Sequence, residues 1–136
     1  MRNLTRHQER IIALQILFSL DVKNKLQQAK VAEEIDKLQR AGEESLQYSA
    51  DKYYKKLIFG VIREIDKMDK IINECAIDWE ISRMATVDRN ILRIALFEMK
   101  NELPVGVAIN EAVELAKEFG DNGSPAFING ILGKNA

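Results

Sequence analysis

Arg2, Arg6 and Arg10 recur every four residues at the start of the chain, with His7 beside them and Glu9 the one acid among the first ten residues. If a helix begins at Arg6, Arg6 and Arg10 share one of its faces, one turn apart. Cations at a helix N-terminus oppose the macrodipole, by about 0.3–1 kcal/mol each when exposed. A phosphate placed there would meet free backbone amides and guanidinium groups together. The plainer alternative is a solvated basic surface, which short basic stretches usually form. Further along, Phe119 and Phe127 bracket the loop from Gly120 to Ala126. Both could pack against helix ends, or one could stand at a rim and stack on an unpaired base, worth about 1–3 kcal/mol per base. Spacing leaves the two open.

Other chemistries lack the residues they need. His7 is the only histidine and Cys75 the only cysteine, so a zinc site of ordinary composition cannot be built. No phosphate-binding or dinucleotide glycine motif appears. Carboxylates on the helices are interleaved with Lys and Arg, as on a solvated face. Glu111 and Glu114 with Lys117 fit an exposed ion-pair surface. The sequence therefore predicts no catalytic residue, metal or cofactor. Twenty Lys and Arg against 21 Asp and Glu leave a net charge of −1, so any nucleic-acid contact rests on a local patch. A lone cysteine fits a reducing compartment. Neither a signal-peptide core nor a run of about 20 apolar residues is present. The expectation is a soluble, cytoplasmic protein.

These residues must be positioned by helices. Thr5 and Gln8 form a capping box, followed by Ile11, Leu14, Leu17 and Phe18 at helical spacing, with Ile12, Ile16 and Leu20 widening the apolar face. This helix should end near Lys23–Asn24. A thinner one runs from about Gln28 to Gln39 on Val31, Ile35 and Leu38, stopping at Ala41–Gly42, with Glu43 to Ser45 as loop. From Leu46 to Cys75 the spacing of Tyr53, Leu57, Gly60, Val61, Ile65, Met68 and Ile72 predicts one long helix, or two with a bend near Asp66. Trp79, Ile81 and Met84 form an apolar knot. Thr86 caps a helix from Val87 that Leu103–Pro104 ends. The next starts near Val107 and stops at Phe119–Gly120, where glycine can take a left-handed cap. Ser124 caps a short last helix with Pro125 at its first position. At 136 residues this is a single compact all-α domain, 1–136, of about seven helices, three before residue 66 or so and four after.

Several stretches carry a resemblance. Ala13-Leu-Gln-Ile-Leu-Phe18, Trp79-x-Ile81-x-Arg83, Val87-Asp-Arg-Asn-Ile-Leu-Arg-Ile-Ala95, Ile109-Asn-Glu-Ala-Val-Glu-Leu-Ala-Lys117, Phe119-Gly120 and Phe127-Ile-Asn-Gly-Ile-Leu132 resemble the NusB family of bacterial transcription antitermination factors, in family order. The resemblance implies an all-helical fold of two subdomains. It also implies binding to the single-stranded boxA element of ribosomal RNA leader transcripts, as a heterodimer with NusE, a ribosomal small-subunit protein. That assembly joins RNA polymerase with other Nus factors. The family's arginine-rich motif falls on Arg6, His7 and Arg10, and its RNA-side loop on Phe119, Gly120, Asp121 and on to Ser124. NusE contacts fall on Phe18, Asp88 and Phe127.

This chain departs from the family in one respect: its arginine cluster is thinned to Arg6-His-Gln-Glu-Arg10. Fewer cations, with Glu9 subtracting from the field, predict weaker and less salt-dependent RNA binding. The rival reading is a helical protein-interaction scaffold with weak or no RNA binding. Either a monomer or a homodimer fits. The RNA-binding reading places the cationic and aromatic groups along one rim.

Overall fold

The computed structural model describes residues 4–40, 52–76 and 80–135. Its elements are α1 (Arg6–Val22), α2 (Gln28–Arg40), α3 (Tyr53–Arg63), α4 (Ile65–Cys75), a 3-10 turn (Ile81–Arg83), α5 (Thr86–Lys100), α6 (Val105–Phe119) and α7 (Ser124–Asn135). No strand occurs among the described residues. The expected stop at Ala41–Gly42, the loop at Glu43–Ser45, the helix start at Leu46, and Arg2 and Trp79 lie outside them. The chain divides into two compact units, residues 1–63 and 64–136.

In the first unit α1, α2 and α3 pack on one another in all three pairings. The wide apolar face of α1 is needed for this: Ile12, Ala13, Leu14, Ile16, Leu17 and Leu20 are all buried, against Val31 of α2 and Tyr54, Leu57, Ile58 and Val61 of α3. The Thr5–Gln8 capping box forms as expected, the Gln8 amide donating to Thr5 Oγ1 at 3.0 Å and the Thr5 amide to Gln8 Oε1 at 2.9 Å. At the other end Asn24 takes a left-handed φ of 58°. The Lys25 amide then returns to the Leu20 carbonyl at 2.7 Å, the closure that ends a helix without orphaned carbonyls.

The long apolar run resolves into its two-helix form. Glu64, with φ −108° and ψ 19°, separates α3 from α4.

In the second unit α5 is the central element, in contact with α4, α6 and α7. Every residue from Ile91 to Glu98 is buried, which explains why its sequence shows two apolar faces rather than one. Three boundaries differ from the sequence expectation. Thr86 is the first residue of α5 and caps nothing; Ala85 precedes it with no side-chain cap. The helix stops at Lys100 rather than at Leu103–Pro104, because Glu102 turns left-handed (φ 72°) and the Leu103 amide closes on the Glu98 carbonyl at 3.0 Å. Pro104, its φ already near helical values at −54°, leads directly into α6 at Val105, two residues earlier than expected.

Candidate functional site

In the first unit the cationic group is built by α1 and the first turn of α3. Arg6 opens α1, its side chain 63% exposed, with Nη1 donating to Glu9 Oε2 at 3.1 Å. Its guanidinium lies over the ring of Tyr53, 4.1 Å from the centroid. Arg10, one turn on, also approaches that ring, at 6.0 Å, inside the range of a cation–π contact. The expected shared face is therefore real, but the two arginines differ: Arg10 is buried, at 4% exposure. His7 is half-buried.

Glu9, read from sequence as an acid that subtracts from the phosphate field, also has a structural use. It is buried, with Oε1 accepting the Tyr54 backbone amide at 3.3 Å. A carboxylate of α1 thus satisfies an orphan donor at the positive end of α3. Tyr53, read from spacing as part of the apolar stripe, is half-buried beneath the arginines, while Tyr54 takes the core position at 1% exposure. No local pattern reports a contact made across more than forty residues.

Among the described residues of this unit the other buried carboxylate is matched as well. Glu34 of α2 is buried and accepts from Ser19 Oγ at 3.0 Å and Lys23 Nζ at 2.6 Å, with Lys37 Nζ at 3.5 Å. Burial alone pushes the Glu34 carboxyl upward, but the bonds from Lys23 and Ser19 and the charges of Lys23 and Lys37 outweigh it and hold it below its ordinary value. Phe18, on α1, is exposed, as is Val22 one turn later. They form an apolar strip on α1.

In the second unit the remaining candidates gather where the first turn of α5 meets the loop before α7. An open pocket of about 250 Å³ is lined by Arg83, Met84, Asp88, Asp121, Ser124 and Phe127, among others. Asp88 is buried on its wall, and its Oδ1 has no hydrogen-bond partner among the described residues. Burial raises the Asp88 carboxyl above the usual aspartate range; the Ser124 hydroxyl opposes that and the Asp121 charge adds to it. Phe127 lines a second pocket too, of about 230 Å³, with Cys75, Ala126, Gly130, Ile131 and Lys134. Cys75 is half-buried.

The loop is shaped by packing. Gly120 is extended (φ −88°, ψ −172°), not left-handed as expected. Glycine is required for a different reason: a Cβ there would stand 2.5 Å from both Cβ and Oγ of Ser124 and 2.8 Å from the Ala116 carbonyl oxygen. Ser124 is the first residue of α7, not its cap, and is 1% exposed. Its hydroxyl accepts from the Asp121 amide at 3.0 Å and lies 3.2 Å from Asp121 Oδ1, which also accepts the Gly123 amide at 2.9 Å. Phe119, at 40% exposure, is the open aromatic of this loop. Asp121 is exposed, and Phe127 is half-buried.

Three helices in the first unit and four in the second, among the described residues, define an all-α protein. The pattern of the NusB family matches residues 7–136, and the chain belongs to that family. It is 49% identical to the transcription antitermination protein NusB of Halothermothrix orenii, across 97% of this chain and 96% of that protein. The fold is similar to that of T. maritima NusB, with a TM-score of 0.78 and 25% identity over 98% of this chain and 91% of the other. It is also similar to a chain of the crystal structure of antitermination factors NusB and NusE in complex with dsRNA, with a TM-score of 0.71 and 25% identity over 96% of each chain.

Proposed function

We propose that this chain is a cytoplasmic transcription antitermination factor. It binds the boxA RNA of ribosomal RNA leader transcripts together with NusE, and joins the elongating RNA polymerase complex with other Nus factors. The names of its relatives support this, as does the related structure that holds NusB and NusE with RNA. The observation that carries the reading is Asp88: a buried carboxylate oxygen without a donor among the described residues, on the wall of an open pocket beside Phe127. Such an atom costs about 1–3 kcal/mol when left unmatched, and a donor from a protein partner removes that cost. Asp88 and Phe127, with Phe18 on α1, are the partner contacts.

RNA contact divides by exposure. Arg6 and Phe119 are open enough to touch phosphate and base. Arg10 and Ser124 are buried and act from behind, Arg10 through its charge close to Arg6 and Ser124 through its bonds to Asp121, with His7, Gly120 and Asp121 shaping the same two segments. Phosphate contacts set the position of the strand and base contacts its identity. The thinned arginine cluster, with Arg6 its open member among the described residues, accords with modest RNA affinity for the protein by itself. NusE sharing the strand raises it.

The test is a titration of boxA RNA, scrambled single-stranded RNA and double-stranded RNA, with and without NusE, at two salt concentrations. The expected result is a preference for boxA that appears or grows with NusE. Log-affinity should fall by about 0.7 per decade of salt for each contacted phosphate. No gain over scrambled RNA in the presence of NusE favours the scaffold reading. A preference for the duplex overturns single-strand recognition.

A further inference from the structure

Two guanidinium groups of like charge converge on one aromatic ring at the start of α1, where the helix dipole already opposes them. The Arg6 and Arg10 guanidinium carbons stand 4.1 and 6.0 Å from the Tyr53 centroid. Arg6 is further fixed by Glu9. Glu9 also holds the Tyr54 amide, so the carboxylate that steers Arg6 places the turn carrying the ring. Filling the interior falls to the neighbouring Tyr54; Tyr53 stays half-buried with the cations against it.

We propose that Tyr53 is the positioning residue of the cationic site: its ring holds Arg6 open to solvent with Arg10 close behind, so that an RNA phosphate reaching Arg6 also feels the second charge. This rests on the RNA-binding reading above. The negative face of the ring offsets the repulsion between the two guanidinium groups. A stacked arginine has already given up much of its rotamer freedom and loses less when phosphate arrives. A chain with few arginines then gains from having them prearranged.

The experiment compares Tyr53→Leu, Tyr53→Phe and Arg6→Ala, each as the full chain with NusE, by boxA RNA affinity across a salt series and by thermal melting. Tyr53→Leu should lose about fivefold in affinity, the scale of an exposed cation–π contact. Its salt slope should match the unmodified protein, because both arginines remain. Tyr53→Phe should bind normally. Arg6→Ala should lose affinity and lower the slope by about 0.7.

Normal binding by Tyr53→Leu alongside weakened binding by Arg6→Ala overturns the role of Tyr53 and leaves the RNA site standing. Equal losses in Tyr53→Leu and Tyr53→Phe overturn the ring argument. An unchanged Arg6→Ala overturns the RNA site and this proposal with it. Should Tyr53→Leu melt below the assay temperature, a series of ring-fluorinated phenylalanines at position 53 keeps the shape while depleting the ring face. Affinity should then fall with fluorination, and a flat series overturns the proposal.

Discussion

The buried carboxylates of the first unit contrast with Asp88 of the second. In the first, Glu9 and Glu34 are buried and each has both oxygens matched, Glu9 by the Tyr54 amide and Arg6, Glu34 by Ser19 and Lys23. In the second, Asp88 is equally buried and has an oxygen with no donor among the described residues. That unit can build a matched charge: Arg93 meets Asp69 through Nε and Nη2 at 2.8 and 2.9 Å and gives Nη1 to Asn90 Oδ1 at 3.0 Å. Matched buried charges hold helices together. An unmatched one lowers stability, and in a pocket it marks a place where another molecule completes the set.

The largest expected effect that would break this contrast is in the first unit. Glu9→Ala strands the Tyr54 amide and frees Arg6, and should cost about 2 kcal/mol in a urea denaturation series; a loss near zero would remove Glu9 as the bridge between α1 and α3. Next, Asp88→Ala should weaken NusE binding about tenfold by calorimetry with little loss of fold stability. A variant that binds NusE normally would make the pocket incidental. Glu34→Gln should cost about 1 kcal/mol at neutral pH. Because the folded-state value of Glu34 lies below its ordinary 4.5, its stabilisation is present above that range and fades as pH falls through the folded value. The gap between Glu34→Gln and the unmodified protein should close on acidification.

The smallest effect carries the opposite sign. Asp88 is raised in the folded state, so its charge opposes folding at neutral pH and that penalty vanishes once the group is protonated. Asp88→Asn should therefore raise the melting temperature by roughly 2–5 °C at pH 7, with no difference in acid. A destabilised Asp88→Asn at pH 7 would place Asp88 among the matched charges and dissolve the contrast.

The helices themselves were legible because their signals are local. The Thr5–Gln8 box, the apolar spacing of α1 and the doubled apolar face of α5 each lie within a few turns of chain. Boundaries failed where a residue had two uses. Pro104 both excludes one helix and starts the next, and Glu102 takes a left-handed turn for which the sequence shows no glycine.

The candidate sites were legible as residues but not as roles. Arg6 and Arg10 look alike at four-residue spacing, and only α3, folding back upon them, makes one open and the other buried. Gly120 was correctly singled out for the wrong cause, since its crowding by Ser124 arises only when α6 and α7 meet. Asp88 reads as a favourable first-turn acid; its missing donor is a property of the surrounding pocket.

The bridge made by Glu9 has a consequence for how the chain comes into being. Arg6 leaves the ribosome some fifty residues before Tyr53 does, and until the later segment docks, the arginine has neither ring nor fixed carboxylate to set its direction. A newly made first helix carries both arginines without the ring that sets them. The proposed grip on RNA begins only when the third helix closes, which ties it to completion of that unit's fold.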